Sequence, residues 1–255
     1  MATVAGLIVG FLVGMTGMGG GALMTPFLIL ILKMNPVTAV GTDLAFAAVT
    51  KITGGYQHWR QHTLRLKPVL WMALGSIPAS LLGSHYIISR VGNEYVVQHL
   101  LPLLLGIVLI VVGILVVLRA LGWLRNKEND PVICPQPWSF ILIGAIGGLL
   151  VGLTSVGGGT IIMALLMIFY TIPAGQLVAM DVSHGALLAL FTASTYAFSG
   201  HVDWSLTIWL LIGSLPGVWL GARAVKIIPQ RTVRIALGIL LLLAGINLFI
   251  NNSTI

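Results

Sequence analysis

The chain has 255 residues, of which 58% are hydrophobic and only 7% are charged. A soluble globular domain carries ~25% charged residues, so this composition excludes a protein whose main solvent is water. The formal net charge of +7 does not indicate nucleic-acid binding, because the basic residues lie in short polar segments rather than on one face interleaved with aromatics. We expect a lipid bilayer, and no nucleic acid, as a partner.

Eight apolar runs follow one another along the chain, and most have the ~17–25 residues of a bilayer-spanning helix. They cover residues 3–32, 37–57, 68–89, 97–121, 138–170, 175–198, 205–222 and 233–250. The runs 3–32 and 138–170 are too long for one straight span, and glycines interrupt both near the middle. We therefore predict an all-α polytopic membrane protein in which each long run forms two short helices in a hairpin.

The second half of the chain repeats the first at an offset of 138 residues. The segment GMTGMGGG at 14–21 returns as GLTSVGGG at 152–159, and the same offset pairs Asp43 with Asp181. Biased composition alone would not hold an aspartate, a glycine triplet and a Gly-Ser-x-Pro motif in one register. The sequence predicts a first membrane repeat at 1–124, a cytoplasmic linker at 125–137 and a second repeat at 138–255, joined in one transmembrane domain.

Lysine and arginine in short loops mark the cytoplasmic side of a membrane protein. The marked loops carry Arg60, Arg65 and Lys67, then Arg119, Arg125 and Lys127, then Arg223, Lys226, Arg231 and Arg234. The turn 199–204, which matches the loop 58–67, carries Asp203 and no lysine or arginine. Equivalent loops should then face opposite sides. We predict two inverted repeats, as in many secondary transporters, each a glycine-broken hairpin plus three transmembrane helices, with both termini outside the inner (cytoplasmic) membrane.

Both predicted hairpins contain a glycine triplet immediately before an apolar helix. The triplets are Gly19, Gly20 and Gly21 in the first half and Gly157, Gly158 and Gly159 in the second. Irregular backbone at membrane depth is tolerated only inside protein or beside a wet cavity, and free N–H groups at a helix start suit an anion. We predict a site for a small anionic substrate there. Glycines that only allow close helix packing are the alternative.

Ionisable residues within predicted spans give further candidates, since such a side chain facing lipid costs at least ~2.5 kcal/mol. Asp43 and Asp181 occupy equivalent positions, and each has a basic neighbour on a similar helix face, Lys51 and His184 respectively. We predict that Lys51 holds the anion while Asp43, Asp181 and His184 exchange protons or another coupling ion. Buried polar groups that only tie helices together are the alternative.

Hydroxyl groups flank both glycine breaks and can donate to a ligand. They belong to Thr16, Thr154 and Ser155, although such hydroxyls often bond to the backbone instead. We expect no metal or cofactor, because Cys134 is the single cysteine and the histidines lack metal-ligand spacing. We also expect no catalytic residue and no enzyme, since HExxH, GxSxG and P-loop motifs are all missing from the sequence.

Three features of the sequence together resemble the TauE/SafE sulfite exporter family. They are the duplicated hairpin ending in a glycine triplet, the segment 40–43 (VGTD) with its partner 178–181 (VAMD), and the two Gly-Ser-x-Pro helices. The resemblance covers nearly the whole chain. It implies a bacterial or archaeal inner-membrane carrier for sulfite, sulfoacetate or other small, often sulfur-containing, anions. The function expected from the sequence is export of such an anion by alternating access. An anion channel and a non-transporting scaffold or sensor remain alternatives, and a homodimer remains open.

Overall fold

The computed structural model describes residues 2–16, 21–60, 66–123, 136–170, 172, 174–224 and 230–253. Within these ranges the chain forms helices and no strand. The helices are α1 (Ala2–Thr16), α2 (Gly21–Leu30), α3 (Pro36–Arg60), α4 (Leu66–Ile88), α5 (Leu101–Leu121), α6 (Pro137–Thr154), α7 (Gly158–Phe169), α8 (Ala174–Phe198), α9 (Trp204–Ala224) and α10 (Gln230–Ser253). A π-helical turn, Val96–Leu100, leads directly into α5.

Six segments of the described chain are long and apolar enough to cross a membrane. They are Leu66–Ile88, Val96–Leu121, Pro137–Thr154, Gln176–Phe198, Trp204–Gly221 and Arg231–Ile250. The shorter apolar helices Ala2–Met15 and Gly158–Phe169 accompany them. The predicted all-α polytopic membrane fold is therefore confirmed.

Both long apolar runs are divided into two helices, as predicted, although α6 is not short, since its 18 residues are enough to cross a membrane. In the second half the break falls at Ser155 (φ 62°) and Gly157 (φ 104°), both left-handed. A φ of 104° strains any L side chain, so this position calls for glycine. The ten-residue α2 is about 15 Å long, which is half of the ~30 Å hydrocarbon core. In the second half the break places the buried start of α7 inside the protein.

The two halves interlock through glycine-lined helix pairs. α1 packs along α9 and α4 packs along α6, so each close pair joins one helix from each half. A Cβ on Gly148 would lie 2.2 Å from the carbonyl oxygen of Ser76, and one on Gly10 would lie 2.5 Å from that of Ser214. These contacts are related by the 138-residue offset with the halves exchanged. The glycines of α1 and α6 therefore serve close backbone packing.

Helices at equivalent positions in the two halves pack against each other in opposite directions. In the pair α3 and α8, Gly41 near the start of α3 faces the carbonyl of His201 just beyond the end of α8. Gly55, near the end of α3, faces Ser183 in the first half of α8. In α5 and α10, close contacts join Gly106 to Gly245 and Gly113 to Gly238. Inverted repeats require such antiparallel pairs; the inverted topology and the membrane side of each loop stay predictions.

Candidate functional site

Asp43 is fully buried and held by hydroxyl groups from both halves. Its Oδ2 atom accepts a hydrogen bond from Thr25 of α2 and a second from Ser155, whose Oγ lies 2.8 Å away in the break between α6 and α7. Its Oδ1 atom has no hydrogen-bond partner in the described part of the chain. The carboxyl of Asp43 on α3 thus connects α2 of its own repeat to the break between α6 and α7 of the other repeat.

The start of α3 fixes where this carboxyl lies. Asn35 precedes the helix, and its Oδ1 accepts a hydrogen bond of 3.0 Å from the N–H of Val37. Pro36 occupies the first helical position, where its missing N–H and fixed φ cost nothing. An asparagine cap followed by proline is a strong helix start, so Asp43 lies two turns into a helix with a well-defined beginning.

Lys51 lies two turns beyond Asp43 on α3 and crosses the surface of α8 at Gly185. A Cβ on Gly185 would lie 2.5 Å from Nζ of Lys51 and 3.1 Å from its Cδ. The ammonium group attracts the carboxyls of both Asp43 and Asp181 electrostatically. The absence of a side chain at Gly185 therefore leaves room for the end of this lysine, whose charge acts on the acidic residues of both halves.

A cavity of about 30 Å³ lies beside this lysine, between the two halves. Its polar lining comes from Lys51, Ser155, Thr160 and the triplet 157–159, and α2, α3, α6 and α8 supply small or apolar side chains. One water needs ~10–15 Å³ of such volume. The cavity therefore holds about two waters, and a larger solute requires the lining helices to move apart.

The lining of this cavity presents hydrogen-bond donors and positive charge. Gly158 begins α7, and Gly157 before it contributes no capping side chain. The first N–H groups of an α-helix have no partner within the helix, and the dipole places partial positive charge at this end. The hydroxyl of Thr160 is buried without a hydrogen-bond partner among the described residues. Together with Lys51, these groups suit a small anion with oxygen acceptors.

The second carboxyl, Asp181, has different surroundings. It is buried in α8, and its Oδ1 has no hydrogen-bond partner in the described ranges. Three residues later, Nε2 of His184 lies 2.7 Å from Oγ of Ser76 on α4, while Nδ1 has no partner there. Ser76 belongs to the first half, so this hydrogen bond again joins the two repeats.

Arg119, in the last turn of α5, supplies a second cation whose charge acts on Asp181. Its Nη1 lies 2.7 Å from Sδ of Met163 on α7, and its charge attracts the carboxyl of Asp181. Met163 stands at the repeat position of Thr25, which binds Asp43. The two aspartates are therefore equivalent in sequence and unequal in chemistry, since hydroxyls bind Asp43, whereas the charge of a guanidinium acts on Asp181.

The structure brings a subset of the predicted site residues together. Lys51, Ser155, Gly157, Gly158 and Gly159 line the cavity. Asp43 bonds to Ser155, and Asp181 and His184 are buried on the helix that carries Gly185.

The other predicted residues fall outside this group. The hydroxyl of Thr154 donates to the carbonyl of Leu150 at 2.8 Å, so it supports the helix end rather than the cavity lining. Gly21 begins α2 and Thr16 ends α1, with the Thr16 side chain outside the described part of the structure. Gly19 and Gly20 also lie outside the described residues. Their proposed contact with a substrate stays a prediction.

Sequence reasoning missed five residues that the structure places around the site. They are Thr25, Ser76, Arg119, Thr160 and Gly185. Two carried a usable signal, since Thr160 directly follows the glycine triplet and Gly185 directly follows His184. Thr25 and Ser76 are single hydroxyls in apolar helices, where backbone bonding is the common role. Within the described residues, no group of three His, Cys, Asp or Glu side chains could hold a metal ion.

Comparisons with known proteins agree with this architecture. A family model described as Sulfite exporter TauE/SafE matches residues 2–248. The chain is 36% identical to the Probable membrane transporter protein YjnA of Bacillus subtilis (strain 168), over 95% of this chain and 96% of that protein. It is 28% identical to the Probable membrane transporter protein MJ0441 of Methanocaldococcus jannaschii, over 95% and 92% of the two chains. No solved structure matches the chain significantly.

Proposed function

Since the chain belongs to the sulfite exporter TauE/SafE family of membrane transporters, we propose that it exports a small anion, sulfite or an organosulfonate, as a secondary transporter working by alternating access. The observation that carries the proposal is the small cavity between the halves. There the ammonium of Lys51 shares a lining with the start of α7 and with the hydroxyl of Thr160, which has no hydrogen-bond partner among the described residues.

The charge pattern of the lining supports an anion as the substrate. Neither aspartate lines the cavity, so the polar groups that the described residues contribute to its lining are an ammonium, helix N–H groups and hydroxyls. Sulfite and sulfonates present several oxygen acceptors, which match these donors. At about 4 Å and an effective dielectric constant near 20, a unit charge and the lysine attract by about 4 kcal/mol. That attraction is large enough to repay part of the cost of taking an anion out of water.

The packing of the halves supports alternating access. The cavity of about 30 Å³ is too small for a sulfonate, so a loaded state needs movement of one half against the other. Side-chain contacts that join the halves include the Ser155 bond to Asp43, the Ser76 bond to His184 and the crossing of Lys51 over Gly185. In inverted-repeat carriers two such halves exchange roles between the inward-open and outward-open states.

Proton exchange by Asp43, Asp181 and His184 is part of the proposal. Each is buried, and each has a side-chain atom without a hydrogen-bond partner among the described residues. A proton or a water molecule that binds reversibly at these atoms would supply the missing hydrogen bond. Asp43→Asn and Asp181→Asn should each abolish the pH dependence of uptake by inverted vesicles. Correct insertion with full pH-dependent activity in both variants would contradict this assignment.

Ligand-induced stabilisation tests the anion assignment. Melting temperatures of the detergent-purified protein are measured with sulfite, sulfoacetate, thiosulfate, sulfate, acetate and chloride, at two pH values. A ligand at 100 times its dissociation constant stabilises by about 2.7 kcal/mol. We expect a response to sulfite or a sulfonate in the wild type and in Lys67→Met, which removes an exposed lysine of α4, and its loss in Lys51→Met. An unchanged response in Lys51→Met would overturn the site, and no response to any anion would overturn the substrate class.

A further inference from the structure

A second and much larger cavity lies on the outside of the helix bundle. It is a groove of about 690 Å³ between α1, α2 and α10. Of these three helices, α2 also contributes to the lining of the central cavity, through Ala22. The walls of the groove are mainly aliphatic and aromatic, including Leu12, Leu23, Phe27 and Leu243. Leu243 is 64% exposed, so the groove opens to the surroundings of the bundle. In a membrane protein those surroundings are lipid chains.

One positive charge stands at the end of this groove. Lys33 is exposed, lines the groove and follows the last turn of α2. Its φ of 54° is left-handed, and Met34 beyond it donates its N–H to the carbonyl of Leu28 at 3.1 Å. Glycine is the usual residue at a left-handed helix end. A lysine kept in this strained conformation suggests a use for its side chain.

The dimensions and chemistry of the groove fit a phospholipid. Along α2 the lining extends from Leu23 to Ile31, a rise of about 12 Å, and ends beside the lysine. An apolar channel with a cation at its mouth is complementary to an acyl chain that carries an anionic headgroup. We propose that this groove binds one acyl chain of an anionic phospholipid and that Lys33 holds the headgroup phosphate.

The corresponding face of the second repeat is built differently. Ile161 stands at the repeat position of Leu23; it is a buried member of a core with Val108 and Val112 of α5, whereas Leu23 packs against that same core only partly buried. In sequence, a threonine at position 171 replaces Lys33. The groove lysine therefore belongs to the first half only. α2 also carries Thr25, which holds Asp43, so the bound lipid contacts the helix that supports the central site.

The test compares lipids of equal chain length on the full chain in detergent. Melting temperatures and native mass spectra are recorded with dioleoyl-phosphatidylglycerol and with dioleoyl-phosphatidylcholine. We expect the anionic lipid to remain bound to the wild type and to raise its melting temperature more than the zwitterionic lipid does. Lys33→Arg should keep this preference, and so should Lys67→Gln, which removes a charge elsewhere.

Lys33→Gly separates lipid recognition from folding. Glycine relieves the left-handed backbone, so the lipid-free melting temperature should stay the same or rise while the preference for the anionic lipid disappears. Ala244→Phe, which fills the groove from α10, should reduce retention of both lipids at least several-fold. Equal effects of the two lipids on the wild type would overturn the proposal, and so would an unaltered preference in Lys33→Gly. A wild-type dimer that carries no lipid would also overturn it, because a second copy of the chain would then cover the groove. None of these readouts depends on the transported substrate.

Discussion

Replacing Gly185 by alanine tests the position of Lys51. The new Cβ would lie 2.5 Å from Nζ and 3.3 Å from Cε of the lysine, whereas such atoms in contact normally keep ~3.5–4.0 Å apart. The ammonium must therefore retreat by about 1 Å. The displaced atoms form the free end of a flexible side chain, and alanine favours a helix over glycine by about 1 kcal/mol. We expect little change in stability.

The effect on anion binding follows from distance. A unit charge about 4 Å from the ammonium is attracted by about 4 kcal/mol at an effective dielectric constant near 20. Because the attraction falls as the inverse of distance, a retreat of about 1 Å removes about 0.8 kcal/mol. Since 1.4 kcal/mol corresponds to a factor of ten, Gly185→Ala should weaken anion binding roughly four-fold.

Tryptophan fluorescence titration with sulfite, paired with the melting temperature, measures both quantities. Gly55→Ala is the matched control on the same pair of helices, because its Cβ would lie 3.6 Å from Oγ of Ser183, an ordinary contact. We expect unchanged affinity in the control. Wild-type affinity in a well-folded Gly185→Ala protein would refute the placement of Lys51, and a large loss of melting temperature would show that the lysine cannot move aside.

Three further changes probe the packing around the site. Thr25→Val removes a hydroxyl that donates to buried Asp43, so reversible unfolding in mixed micelles should show a loss of about 1–3 kcal/mol. Thr160→Val removes a buried hydroxyl without a partner in the described chain, so stability should hold or rise while sulfite affinity falls; wild-type affinity would remove this hydroxyl from the site. Gly148→Ala forces a Cβ to 2.2 Å from a backbone carbonyl of α4 and should cost about 1–3 kcal/mol. The control Gly92→Ala should be neutral in the same assay, because its Cβ would meet no atom of the described residues within 4 Å.

Much of the fold could be predicted because a helix that crosses lipid needs about 17–25 consecutive apolar residues, which are visible in the sequence. The apolar run 37–57 became α3, Pro36–Arg60, and the two glycine-rich breaks fell where the long runs were expected to divide. Self-comparison also identified which helices are equivalent. It could not show which helices touch, because equivalence does not fix whether α1 packs on its own half or on α9 of the other half. That choice depends on matched glycine surfaces, which become visible only in three dimensions.

The candidate site was predicted less completely than the fold. Asp43 and Lys51 are recognisable as charges in apolar helices, but the hydrogen bond from Ser155 to Asp43 spans 112 positions and has no signature in sequence. The sequence marks Arg119 only as a guide to the membrane side, which stays a prediction, and the structure adds that the side chain is half-buried in α5 against Met163. Polar side chains at helix ends serve either purpose. Only the packing of α5 against α7 shows that this arginine also contacts the protein interior.

Counterflow in proteoliposomes tests the central claim of an anion carrier most directly. Vesicles loaded with unlabelled sulfite are placed in a trace of radiolabelled sulfite, and uptake is followed for the wild type, Lys51→Met and the surface control Lys67→Met. A carrier with Lys51 in its site should show saturable, accelerated uptake of label in the wild type and the control, and a loss of at least ten-fold in Lys51→Met. Uptake without saturation or acceleration would indicate a channel, and full counterflow in Lys51→Met would contradict the site proposed between the two halves.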